Sequence, residues 1–311
     1  MNGIVADVKR ICGEVREDEP LAQYTTIRTG GRARCLVRPE HLETAGKVVL
    51  YARRAGVPLF VLGRGSNILV SDEGFPGIVL ATERMNRVRL DGNLFVCECG
   101  ARLSTLIRLS MQRGLSGIEF LAGIPGTVGG AVAMNAGLKT RWISSVVERV
   151  EVLEPDGVFS PIEPEEARFA YRFSRLAEGF AGAVYLRVTS GNPAEVRKEV
   201  IARAREKAYT QPLAAHSAGS VFKNPEGMSA GRMIEEAGLK GLRVGGAEVS
   251  RLHANFIVTL PGATSLDVFR LMRRIQQEVF RRTGIMLELE VKLVGRFPDN
   301  ENNGTFRRRE P

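Results

Sequence analysis

Apolar residues recur along this chain with two alternating periods. Between Pro39 and Ala55 they stand at Leu42, Ala45, Val48, Val49 and Ala52, which lie on one face of a helix over Glu40–Ala55. Thr264–Thr283 repeats the pattern with Leu266, Val268, Phe269, Met272, Ile275 and Val279. Arg102–Arg113 predicts a shorter amphipathic helix stopped by Gly114. Short apolar runs predict strands at Ala33–Arg38, Pro58–Leu62, Ile68–Val70, Ile78–Ala81, Leu94–Cys99 and Ala183–Val188. Val146–Leu153 and Val158–Ile162 form a hairpin around Pro155, Asp156 and Gly157. Residues 1–20 predict a short helix and a polar lead-in, and Pro193–Ala208 a long basic helix linking to the last part. The final third predicts a small-residue turn and strand over Ser217–Pro225, a helix over Ser229–Ala237 and strands at Ala254–Leu260 and Met286–Val294. Helices over a small sheet make that part an α+β unit.

A chain of 311 residues suggests two domains, or three small ones. A hydrophobic content of 44% and a charged content of 25% are those of a soluble globular protein. No apolar run approaches the ~20 residues of a membrane span. Met1–Asp18 lacks a signal-peptide core, so the expected location is the cytoplasm. Cys12, Cys35, Cys97 and Cys99 do not make a disulfide framework in a chain of this size. Cys97 and Cys99 alternate on a strand and read as buried thiols. With His41, His216 and His253 as the histidines, no catalytic metal is expected.

The net charge of +9 points to nucleic acid or to anionic small molecules. Basic residues are scattered apart from Arg307–Arg309, and 6% aromatics offer no stacking platform for bases. Anionic small ligands are therefore favoured over nucleic acid.

Two glycine-rich stretches stand out. Residues 123–137 hold Gly123, Gly126, Gly129, Gly130 and Gly137 beside Ala131, Ala133 and Ala136. Such density allows a ligand to approach the main chain, and backbone N–H groups in a turn cradle anions. The same stretch is compatible with a tight turn against a small-residue helix. Gly63-Arg-Gly-Ser-Asn67 lacks the third glycine and the helix of a dinucleotide fingerprint, and neither stretch is a P-loop. Gly63–Asn67 is left as a strand–loop–strand that offers backbone, Ser66 and Asn67 to an anion, or as a plain hairpin turn.

Taken together, the motifs are more specific than any one of them. Thr26–Gly31, Gly63–Val70, Gly117–Ala131, Met134–Gly137, Tyr171–Ser174, Gln211–Leu213, Ala218–Pro225, Ile234–Gly241, His253–Phe256 and Leu287–Gly295 run in one order along nearly the whole chain. In these stretches the chain resembles the UDP-N-acetylenolpyruvoylglucosamine reductase family. The compact spacing from Tyr171 to Ser220 is similar to the shorter class, which lacks an extra substrate-covering loop. Leu138-Lys-Thr-Arg-Trp142 departs from the family pattern.

The resemblance implies an α+β fold: a two-subdomain FAD-binding module of the PCMH or vanillyl-alcohol-oxidase type, followed by a smaller α+β substrate-binding domain. The expected division is 1–80 and 81–192 for the two FAD-binding subdomains, 193–297 for the substrate domain, and 298–311 as a flexible tail. The cofactor implied is noncovalent FAD, with NADPH as co-substrate. It would lie on Gly63, Arg64, Gly65, Ser66 and Asn67, and on Gly123, Ile124, Pro125, Gly126, Thr127, Gly129, Gly130, Ala131, Asn135 and Gly137. The substrate implied is UDP-N-acetylglucosamine enolpyruvate, reduced to UDP-N-acetylmuramate by a monomer. Arg172 matches the carboxylate clamp, Ser220 the proton donor, and Glu290 a second donor. Lys223 and Asn224 match substrate contacts, and His253 reads as structural. From the residues alone, Arg172 is also a surface arginine, Ser220 a turn serine, and Glu288 with Glu290 a solvated strand face. Two rivals remain at this point: a flavin oxidase of the same superfamily, and a nucleotide-binding protein without catalysis.

Overall fold

Among the described residues of the computed structural model, 3–138 and 140–298, three sheets of four or five strands organise the chain. The first has the order Val15–Pro20, Arg32–Val37, Phe75–Ala81, Leu59–Leu62, with the last three strands parallel. Parallel strands are covered on both faces, which is why they read as unbroken apolar runs. Helices α1 (Gly3–Cys12) and α2 (Leu42–Arg54) accompany this sheet, and Val8, Val48 and Ala52 pack with Cys35, Val37 and Ile78. Residues 1–20 read as a short helix and a polar lead-in. Val15–Pro20 is instead an edge strand whose charged residues face water, so it carries no apolar signature.

The second sheet is antiparallel, in the order Phe159–Ile162, Val147–Leu153, Ala181–Arg187, Leu94–Glu98, Val88–Asp91. Helices α3 (Leu103–Arg113) and α4 (Val128–Ala133) belong to its core, in which Phe95, Leu106, Phe120, Val132 and Val184 are buried. Helix α5 (Pro193–Thr210) is longer than expected and is not a free linker. It contacts α3 and the Glu119–Leu121 turn, and buries Val196, Val200 and Lys207.

The third sheet, Ser217–Ser220, Phe256–Thr259, Ala247–Val249, Arg243–Val244, is covered by α6 (Ala230–Glu236) and α7 (Ser265–Thr283). Thr264 and Asp267 form a capping box at the start of α7. The fold is α+β, as expected.

The third sheet is clamped to the first part of the chain through the Thr26–Gly31 motif. Thr26 Oγ1 donates to Ser217 O at 2.7 Å, Thr259 Oγ1 to Ile27 O at 2.7 Å, and Ser265 Oγ to Thr29 Oγ1 at 2.8 Å. The Asp72 carboxylate accepts from the N–H groups of Ser265 and Leu266 at 2.9 and 2.8 Å. The strand expected over Met286–Val294 is split. Residues 288–291 bond to Val221–Lys223, which follow the first strand of the third sheet, whereas Lys292–Val294 runs parallel to Ile68–Val70. The tail expected over 298–311 lies, from Asp299 onward, outside the described residues.

Candidate active site

The two glycine stretches meet. Ser66 Oγ donates to Pro125 O at 2.8 Å, and a Cβ built on Gly63 would lie 2.7 Å from Thr127 Oγ1. Gly63–Asn67 is not a hairpin turn, because Leu59–Leu62 pairs with Phe75–Ala81 and Ile68–Val70 with Lys292–Val294. Gly65 has φ +64°, and among the described residues the N–H groups of Arg64, Gly65 and Ser66 meet no acceptor. Three consecutive free N–H groups around a left-handed glycine form a concavity for an anion.

The glycines of the second stretch divide into two kinds. A Cβ at Gly129 would stand 2.9 Å from both Cys99 Cβ and Cys99 O, and one at Gly137 2.3 Å from Arg141 O, so the protein's own packing requires both. At Gly126 a Cβ would find only Ser66 Oγ at 3.8 Å and Leu103 Cδ1 at 3.9 Å, and at Gly130 only Thr127 Oγ1 at 3.5 Å. Neither residue has a positive φ. Nothing within the protein requires a bare backbone there, whereas a ligand lying on the loop would.

Arg172 and Glu290 come together beside these loops. Arg172 Nε is 2.5 Å from Glu290 Oε1, with the side chains 19% and 12% exposed. Burial pushes the Glu290 carboxyl above its usual range, and the guanidinium of Arg172 opposes that rise. The solvated face expected from strand alternation holds for Glu288, which is 75% exposed, and fails for Glu290. The Glu290 N–H donates to Val221 O at 2.8 Å, which sets the glutamate next to Ser220 in the chain pairing. Ser220 ends its strand at a bulge beside Gly219 (φ +76°), and a Cβ on Gly219 would be 3.6 Å from Ser66 O. The half-buried Ser220 hydroxyl has no hydrogen bond among the described residues.

The family profile described as FAD binding domain matches residues 33–160, and that described as UDP-N-acetylenolpyruvoylglucosamine reductase, C-terminal domain, matches residues 211–294. A UDP-N-acetylenolpyruvoylglucosamine reductase from Moorella thermoacetica is 43% identical over 91% of this chain and 94% of that protein. One from Synechococcus sp. is 39% identical over 94% and 96%. The crystal structure of the reductase from Thermus caldophilus aligns with a TM-score of 0.79 at 40% identity, covering 91% of this chain and 98% of that one. The chain belongs to the UDP-N-acetylenolpyruvoylglucosamine reductase family.

FAD is the cofactor of this reductase family, and the residues fit it. The free N–H groups at Arg64–Ser66 suit a diphosphate, and the open backbone at Gly126 and Gly130 leaves room beside it. Thr127 caps α4 through its Oγ1, which accepts from Gly130 N. Pro125 makes the Ser66 contact through its main-chain oxygen, Ile124 before it is half-buried, and Ala131 is buried in the core. Burial lifts the thiols of Cys97 and Cys99 to about 12, which keeps them protonated and unreactive.

Other expected residues are held by the protein. Lys223 Nζ is 3.3 Å from Glu288 Oε2. Asn224 Oδ1 accepts from Ala230 N at 3.0 Å, and Asn224 N donates to Tyr171 OH at 3.2 Å. His253 Nδ1 accepts from Asn255 N at 3.2 Å, and burial lowers its pKa. The departing segment after Gly137 folds as a tight hairpin, Gly137–Leu138 with Arg141–Trp142, and Arg141 sits 5.2 Å over the Phe120 ring. Lys139 within it lies outside the described residues.

Sequence reasoning missed Lys207. It is 8% exposed, with no acceptor among the described residues, and its stem lies on the glycine loop: a Cβ on Gly123 would be 2.9 Å from Lys207 Cδ. Burial first, then the charges of Arg203 and Arg172, push its pKa down to about 8. The available signal was its position on the apolar stripe of α5 with Val196 and Val200.

Proposed function

We infer that this chain is a flavin-dependent reductase that converts UDP-N-acetylglucosamine enolpyruvate to UDP-N-acetylmuramate in peptidoglycan precursor synthesis, with NADPH as reductant. The observation that carries the inference is the Arg172–Glu290 pair, formed across 118 residues beside two loops shaped for a cofactor. Arg64–Asn67 and Gly123–Ala131 would hold FAD. Reduced FAD, once bound, supplies hydride for the terminal vinyl carbon of the substrate.

The chain's own residues have three tasks: to hold the substrate carboxylate, to stabilise the charge that grows on it, and to deliver a proton to the adjacent carbon. Arg172 uses Nε on Glu290, which leaves its two Nη groups to take the carboxylate with two bonds. The Glu290 carboxyl, raised by burial, is the second group for the developing enolate. Ser220 Oγ gives its proton to the carbon next to the carboxylate, and its partial exposure lets water restore that proton. A serine hydroxyl is a weak acid, but an enolate carbon is a strong base, so position suffices. Lys223 and the carboxamide nitrogen of Asn224 are assigned to substrate anionic groups.

We retain the division at 1–80, 81–192 and 193–297, supported by one main sheet in each, with α5 packing against the second unit and Lys292–Val294 returning to the first. Among the described residues no helix is long and apolar enough to cross a membrane. We further assign the enzyme to the cytoplasm, and assign it as a monomer. The test is the purified protein itself. Oxidised-flavin absorbance bands and NADPH consumption that depends on UDP-N-acetylglucosamine enolpyruvate are expected. A colourless protein that FAD cannot reconstitute would overturn the inference.

A further inference from the structure

Each half of the Arg172–Glu290 pair is tied down by an asparagine from a different glycine stretch. Asn67 ends the first. Its Nδ2 donates to the main-chain oxygen of Glu290 at 3.1 Å, and its own carbonyl accepts from Lys292 N at 3.0 Å. It therefore brackets Val291 and fixes the point where the chain leaves the third sheet for its pairing with Ile68–Val70.

Asn135 follows α4 and is buried. Its Nδ2 donates to Ala170 O at 3.0 Å and its Oδ1 accepts from Ser144 N at 3.2 Å. Ala170 and Phe173 exchange main-chain hydrogen bonds of 3.0 and 3.2 Å, closing the turn that holds Arg172 at φ +55°. Ser174 Oγ fastens the far side of that turn to Val132 O at 2.8 Å. A left-handed arginine is a costly conformation that persists only where its surroundings impose it. Asn135 is itself at φ +42°, which asparagine tolerates better than most residues.

We propose that Asn67 and Asn135 are positioning residues that set the Arg172–Glu290 pair in register for the substrate. Asn67 sets the peptide that aims the glutamate, and Asn135 holds the turn that aims the arginine. Without the Asn67 side chain, the main-chain bond from Lys292 N remains, but the Glu290 carbonyl loses its donor and the glutamate's carboxyl drifts from the guanidinium. Without the donor of Asn135, the turn at 170–173 loses its link to the loop after α4, and the guanidinium shifts. The proposal rests on the assignment of that pair to the substrate carboxylate.

The test uses Asn67→Ala and Asn135→Gly, each with and without Glu290→Gln. Glycine keeps the positive φ at 135. Asn135→Asp, which keeps the acceptor for Ser144 N and sets a carboxylate oxygen against Ala170 O in place of the donor, serves if glycine loosens the fold. Flavin content and melting temperature are recorded, and both half-reactions are followed on the flavin-loaded fraction. We expect oxidation by the enolpyruvate substrate to fall about tenfold or more beyond any fall in reduction by NADPH. Adding Asn67→Ala to Glu290→Gln should cost nothing further, whereas Asn135→Gly should still cost the part that Arg172 carries through its own contact with the substrate. In the flavin-free protein, carbon-13 NMR of glutamate carboxyls, assigned by loss of the signal in Glu290→Gln, follows the titration of residue 290. In both asparagine variants that titration should move upward, because burial remains while the opposing charge of Arg172 withdraws. An Asn67→Ala loss that multiplies with Glu290→Gln, together with an unmoved titration in both asparagine variants, would overturn the proposal and leave the asparagines as fold residues. If Glu290→Gln itself leaves both half-reactions intact, the catalytic assignment fails, while a shifted titration would still uphold the positioning.

Discussion

Nε of Arg172 lies 2.5 Å from Oε1 of Glu290, so the guanidinium is engaged along one edge before any substrate arrives. Its remaining edge carries the two Nη groups, which is the geometry for a carboxylate. A lysine in its place has one compact charge, which either pairs with Glu290 or meets the substrate.

Arg172→Lys is therefore expected to lower turnover more than it weakens substrate binding, since the carboxylate gains charge only as hydride adds. A loss of about tenfold or more in kcat with a smaller change in KM is the expected split, the mark of an interaction made in the transition state. Steady-state kinetics checks it. An unchanged kcat would remove Arg172 from the mechanism.

Gly126 and Gly129 separate a ligand's demand from a packing demand. Gly126→Val adds a side chain where the protein leaves space, so the fold should survive and FAD should be lost. Gly129→Val forces a side chain against the Cys99 backbone, 2.9 Å away, so the melting temperature should fall whether or not FAD is present. Flavin absorbance after gel filtration and melting curves of the flavin-free proteins distinguish the two. Full flavin occupancy in Gly126→Val would mean that Gly126 only shapes a turn.

The chemistry of the two glycine stretches was legible as a pattern, but what each glycine is for was not. Periodicity placed α2, α3 and α7 to within about two residues, because each buries one clean apolar stripe. Val15–Pro20 stayed hidden because an edge strand needs no apolar face. Met286–Val294 reads as one strand, and its division between two partners is a tertiary fact. Glu290 and Glu288 look alike on alternation, and only Arg172, brought in from 118 residues away, tells them apart. Thr26–Gly31 was visible as a motif, yet its hydrogen bonds run to residues 217, 259 and 265.

Lys207 predicts a pH dependence of stability. Its pKa falls from 10.5 to about 8 on folding, so between those values the unfolded chain binds more protons than the folded one. Stability of the flavin-free protein should rise with pH across that window, and below about 8 the full burial penalty is present. Converted directly, a shift from 10.5 to about 8 is worth on the order of 3 kcal/mol. Lys207→Met should therefore raise stability at pH 7 by about 1–3 kcal/mol and flatten the rise above pH 8. Urea unfolding at several pH values is the measurement, and parallel curves for the two proteins would refute it.

Ser220 separates the two half-reactions. Its hydroxyl has no hydrogen bond among the described residues, and it neighbours Val221, whose carbonyl holds the N–H of Glu290. Reduction by NADPH needs no proton from Ser220, so Ser220→Ala should be bleached by NADPH at close to the wild-type rate. Oxidation by UDP-N-acetylglucosamine enolpyruvate should slow by a factor of order 10²–10⁴, the usual contribution of one positioned general acid. Ser220→Cys should recover part of the loss, because a thiol is nearly the same size and the stronger acid. Stopped-flow absorbance, with each substrate mixed separately, reads both steps. If Ser220→Ala instead slows reduction and leaves oxidation alone, Ser220 belongs to nicotinamide binding. The proton would then have to come from the Glu290 carboxyl, which burial holds above its usual range.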